Sequence, residues 1–90
     1  MEIKVGSLVI SKAGRDKGDM FIVLSISDGF AYLANGELRK VDHPKKKKLK
    51  HLQGTNMVSE FIANKIEVIG KVTNSEVRKA LAQSGGNDNG

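Results

Sequence analysis

Ninety residues, 39% of them hydrophobic and none of them cysteine, describe one small domain with no disulfide staples and no thiolate metal site. The net charge of +5 lies wholly in residues 1–53, which hold 11 Lys/Arg against 6 Asp/Glu, whereas residues 54–90 hold 4 of each. Such asymmetry points to a polyanionic partner met by one part of the molecule, and no apolar run reaches the roughly 20 residues that a membrane-spanning helix needs. The opening MEIKVGSLVI is too short and too polar for a secretory leader. A cytoplasmic, monomeric protein with no membrane partner is therefore expected.

In chain order, SLVISK (7–12) reads as a β-branched strand that ends at the glycine-punctuated loop AGRDKG. DMFIVLSIS (19–27) is nearly continuous in apolar residues. Met20, Ile22, Leu24 and Ile26 alternate with Phe21 and Val23, so both faces of this strand are expected to be at least partly covered. Asp28-Gly29 predicts a tight hairpin into FAYLA (30–34), and Asn35-Gly36 predicts a second hairpin into ELRKV (37–41). A fifth short strand is placed at 49–52. Short strands with no helix between them imply a small, strongly bent antiparallel barrel over residues 1–53.

Beyond Gly54 the pattern becomes helical. Val58, Phe61, Ile62 and Ile66 form one stripe, with Asn56 as a candidate N-cap and Gly70 as a stop. A second helix is predicted over TNSEVRKALAQ, where Thr73 and Glu76 form a capping-box pattern and Asn74 or Ser75 are alternative caps. Its stripe is Val77, Ala80 and Leu81. One or two short helices over 54–83 are thus expected to pack on the barrel, and SGGNDNG (84–90) is read as a frayed tail.

Two windows carry the charge. Lys12, Arg15 and Lys17, with Gly18, form the first. Arg39, Lys40, Lys45, Lys46, Lys47, Lys48, Lys50 and His51 form the second. Together residues 12–17 and 39–50 hold 10 Lys/Arg against 2 Asp, a local excess of 8 charges. The lysine run is read as a loop, stiffened by Pro44 and anchored by Val41, Leu49 and Leu52, that concentrates charge on one rim. The first window equally fits a solvated strand connection. Lysine is a point charge rather than a planar bidentate reader, so backbone and shape recognition are expected rather than base readout. Phe30 and Tyr32 are expected in the core rather than stacked on bases, because aromatics are so few.

Catalytic constellations are missing from the sequence. His43 and His51 lack carboxylate company for a metal. No serine sits in a nucleophile elbow, and no G-x-x-x-x-G-K-[ST] loop occurs. No enzyme activity and no cofactor are expected.

VGSLVISKAGRDKGDMFIVLSI resembles the KOW motif, a strand–loop–strand element of ribosomal proteins and transcription elongation factors. Gly18 falls at its glycine, and Lys12, Arg15 and Lys17 in its cationic loop. The stretch LRKVDHPKKKKLKHL extends the likeness, which is then similar to the archaeal and eukaryotic large-subunit ribosomal protein family L-fourteen-e. The resemblance covers roughly residues 4–53. It implies an SH3-like five-stranded antiparallel barrel of the translation-protein type, and contact with ribosomal or other structured RNA through the two windows. Ribosomal members commonly carry long basic extensions. In its charge-neutral C-terminal part the chain is more similar to the small stand-alone KOW proteins of some bacteria, described as RNA-binding. The alternative that the resemblance leaves open is a KOW-type protein-interaction module using the C-terminal helical part.

Overall fold

The computed structural model describes residues 2–86. Five strands, β1 (Ser7–Ser11), β2 (Met20–Ser27), β3 (Phe30–Ala34), β4 (Lys45–Lys48) and β5 (Leu52–Val58), are followed by helices α1 (Glu60–Val68) and α2 (Asn74–Gly86). A single 3-10 turn, Leu49–His51, joins β4 to β5. The strands form one antiparallel sheet in the order β4-β3-β2-β1-β5. The ladder bends at register shifts between Val23 and Ser25 and between Ser7 and Val9, as bulges do. The expected mainly β fold with C-terminal helices is therefore present. The sheet is not closed into a hydrogen-bonded barrel, because β4 and β5 remain its two edges.

The sheet is covered on both faces, as the sequence of β2 requires. Phe21 and Val23 pack with Val9, Ala31, Leu33 and Leu52 on the face away from the helices. Ile22 and Leu8 face the helices and meet Ile62 of α1, Val77 and Ala80 of α2, and Val72 between them. Leu8, Ile22, Leu33 and Ile62 are fully buried, each contributing about 1.5–3 kcal/mol. Two glycines mark where the helical layer touches the sheet layer. A Cβ on Gly6 (φ +90°) would lie 2.9 Å from Ala63 Cβ and from the Ser59 carbonyl oxygen. One on Gly36 (φ +80°) would lie 2.6 Å from the Asn74 carbonyl oxygen. Side chains at these points would push the helices off.

Several expectations are corrected. The residues 37–41 form no strand. Asn35 instead builds a turn, its Oδ1 accepting from the Glu37 and Arg39 amides at 3.0 and 2.9 Å. The helical layer then captures this loop: the Val41 amide donates to Asn74 Oδ1 at 2.8 Å, and Arg78 donates to the Gly36 carbonyl at 2.7 Å. A hairpin signal lost to partners more than 30 residues away in sequence. The fourth strand is the lysine run itself; residues 49–51 of the expected fifth strand form the 3-10 turn instead, and β5 runs from Leu52 to Val58, past the expected barrel boundary at 53. Ser59, not Asn56, caps α1, accepting from the Ile62 amide at 3.2 Å. The Thr73–Glu76 capping box is present in both directions, at 2.9 and 3.1 Å. α2 continues to Gly86, three residues into the stretch read as a tail, and residues 87–90 of that stretch lie outside the described residues.

Candidate nucleic-acid interface

Strand alternation decides what the lysines can do. β4 pairs with β3 in the register Leu33↔Lys45, Tyr32↔Lys46, Ala31↔Lys47 and Phe30↔Lys48. Ala31 and Leu33 lie on the face away from the helices, so Lys45 and Lys47 share that face while Lys46 and Lys48 share the other. One rim of four lysines is thereby split in two.

Lys47 is buried, which a lysine tolerates only when its ammonium is fully paired. Its Nζ donates to Asp16 Oδ1 at 2.7 Å, to the Ala13 carbonyl at 2.7 Å and to Ser11 Oγ at 2.9 Å, which uses all three protons. Ser11 Oγ in turn donates to Asp16 Oδ1 at 2.7 Å. Lys45 Nζ stands 3.6 Å from Asp16 Oδ2. Burial pushes the Asp16 carboxyl upward, but the hydrogen bonds from Lys47 and Ser11 and the two ammonium charges outweigh it and hold the group at about 2. Asp16 is therefore an anion that bolts the 12–17 loop to β4. Lys47, assigned to RNA contact from its sequence, is instead the bolt's other half.

Gly18 shapes the loop and is exposed. Its amide donates to the Ser11 carbonyl at 2.8 Å, and its φ of +93° sets the turn back into β2. The Lys12 amide donates to the His51 carbonyl at 2.8 Å, which holds the 3-10 turn bearing Lys50 and His51 against the same loop. The bolted loop and the Asn35 turn together form a groove of about 380 Å³ to which Arg15, Arg39 and Lys45 each contribute a cation from a separate segment. Lys12, Arg15 and Lys17 are exposed, and Arg39, Lys45 and His51 are half-buried. Asp16 and Asp19 stand on the wall as opposing charges, Asp16 already paired with Lys47 and Lys45, and Leu38, 89% exposed, sits among the cations. Lys40 is exposed at the loop tip, donating to the Glu37 carbonyl.

The two aromatic residues of β3 are not core. Neither Phe30 nor Tyr32 belongs to either buried cluster; both are half-buried on the helix face of the sheet, beyond the area that the helices cover. Lys46 Nζ lies 4.5 Å from the centroid of the Phe30 ring, a cation–π contact. Sequence reasoning missed the Asp16 bolt. Its one signal was a single acid inside a cationic loop, opposite an excess of lysine.

The stripe Val58, Phe61, Ile62 and Ile66 divides as well. Ile62 is fully buried and Ile66 packs beside it, whereas Phe61 is 59% exposed. Among the described residues no cluster of His, Asp or Glu with metal-binding geometry occurs, and no helix is long and apolar enough to cross a membrane. In comparison with known proteins, the chain matches no family model and no curated protein.

Proposed function

We propose that the chain is a non-enzymatic RNA-binding domain of the KOW type, acting in or on the ribosome or translation machinery of the cytoplasm. The observation that carries this reading is the groove where Arg15, Arg39 and Lys45 converge on a loop that the Lys47–Asp16 bolt makes rigid. Converging cations on a preorganised surface suit the closely spaced phosphates of structured RNA, and ordering them adds little entropy cost on binding. Lys12, Lys17 and Lys50 extend the same positive edge. The residue types favour backbone and shape over base edges.

The test is binding of a fluorescently labelled ribosomal RNA fragment across a salt series. Each phosphate contact adds about 0.7–0.9 to the slope of log affinity against log salt, so four contacts give a slope near −3. Arg15→Glu with Arg39→Glu should weaken binding sharply at low salt and flatten that slope. Unchanged affinity in a variant with wild-type circular dichroism refutes the proposal. Salt-sensitive cosedimentation with the large ribosomal subunit would place the site on the ribosome.

A protein-interaction role for the helical part has one observation in its favour. Phe61, Val68 and Ile69 of the α1 region are all more than half exposed. Phe61→Glu separates the roles: it should leave RNA affinity intact and abolish a partner contact made by α1.

A further inference from the structure

The helical layer stops short of the β3–β4 edge. What it leaves open is a checkerboard in which Tyr32 stands opposite Lys46 and Phe30 opposite Lys48, all four on one face. Beside it, between the sheet and the segment joining α1 to α2, runs a groove of about 530 Å³. Tyr32 forms part of its wall with Leu24, Val41, Pro44 and Val72, and its charged lining residues are Asp42 and Lys71. Exposed lysines on two sides of an apolar, aromatic-walled slot describe a ligand that is planar and apolar in one part and anionic in another.

We infer that this slot binds an unpaired nucleobase, stacked on Tyr32, with the flanking phosphates held by Lys46, Lys48 and Lys71. The inference rests on the RNA-binding reading and adds a second contact to it, on the opposite face of β4 from the cationic groove. Charge complementarity favours a nucleic acid strand over an apolar peptide. Lys46, Lys48 and Lys71 outnumber the single Asp42, and all three are exposed, Lys46 with its ammonium resting over the Phe30 ring. The Phe30 face is already occupied by the Lys46 ammonium, so Tyr32 is the platform. A duplex keeps its bases stacked inside and cannot enter the slot, so the site selects single-stranded segments, loops or bulges.

The chain contains one tyrosine and no tryptophan, so its tyrosine emission reports on Tyr32 alone. The probes are a short oligocytidylate and a blunt-ended RNA duplex with the same number of phosphates, at matched salt. The single strand should quench Tyr32 emission as it binds, and the duplex should bind without quenching. Tyr32→Leu should weaken the single strand roughly 5- to 150-fold, the range for loss of one base–aromatic stack, and leave the duplex affinity unchanged. Tyr32→Phe should retain the single-strand affinity, which separates stacking from loss of fold. Single-strand binding without quenching, or insensitive to Tyr32→Leu, overturns the inference. Duplex binding without any single-strand binding overturns it while sparing the cationic groove. If neither RNA binds, the RNA-binding reading falls and this inference with it.

Discussion

Lys47→Met tests whether the lysine run is structural at its centre. Methionine keeps most of the aliphatic stem but removes the ammonium that Asp16, Ser11 and the Ala13 carbonyl share. The Lys47 and Asp16 side chains are only 9% and 14% exposed, so solvent screens the pair weakly and cannot simply replace the lost partner. A carboxyl held at about 2, against 3.8 for a free aspartate, corresponds to about 2.5 kcal/mol of stability at neutral pH. Because the folded value lies below the unfolded one, this stability is fully present above pH 3.8 and is lost as the pH falls toward 2. Urea unfolding at pH 7 should show a loss of about 2–3 kcal/mol, or a fall of roughly 10–20 °C in Tm for a domain of this size. Repeated between pH 5 and pH 2, the variant should lose much of the acid-dependent part of its stability curve. A double-mutant cycle with Asp16→Asn should return a coupling of about 2 kcal/mol. Stability within about 0.5 kcal/mol of wild type, with an unchanged acid limb, refutes the bolt.

Gly36→Ala should cost more than about 2 kcal/mol in denaturant unfolding, since it adds a left-handed alanine to a 2.6 Å clash with the Asn74 carbonyl. Gly18→Ala, with a similar φ but no atom within 4 Å of the added methyl, should cost only about 1 kcal/mol. Truncation after Gln53 removes most of β5 together with Ile62 and Val77, so circular dichroism and amide dispersion should show an unfolded chain. Thr73→Val breaks the α2 capping box and should lower stability by about 1 kcal/mol.

The LRKVDHPKKKKLKHL stretch shows how far local pattern reaches. Its sequence marks the anchors Leu49 and Leu52, which pack in the core, but it carries no sign of which lysine faces which way. That depended on pairing with β3, and register fixes facing absolutely because the side-chain period is two. Asn35-Gly36 illustrates the opposite failure. The dipeptide favours a hairpin locally, yet Asn74 and Arg78 of α2 take the loop's hydrogen-bonding groups and delay the returning strand to Lys45.

The sequence by itself determined the features that depend on neighbours in the chain. These are the two-faced burial of β2, the Asp28-Gly29 hairpin with both residues at positive φ and the Val77–Ala80 stripe. Local sterics and hydrophobic period suffice for each. Only the tertiary structure decided that Lys47 is a buried partner of Asp16, that Arg15, Arg39 and Lys45 share one groove, and that Tyr32 stands beside a slot that the helices leave open. Each of these joins residues at least 6 and up to 40 positions apart, as Arg39 from Lys45 and Tyr32 from Val72, whose distance is set by strand pairing and helix docking rather than by the chain between them.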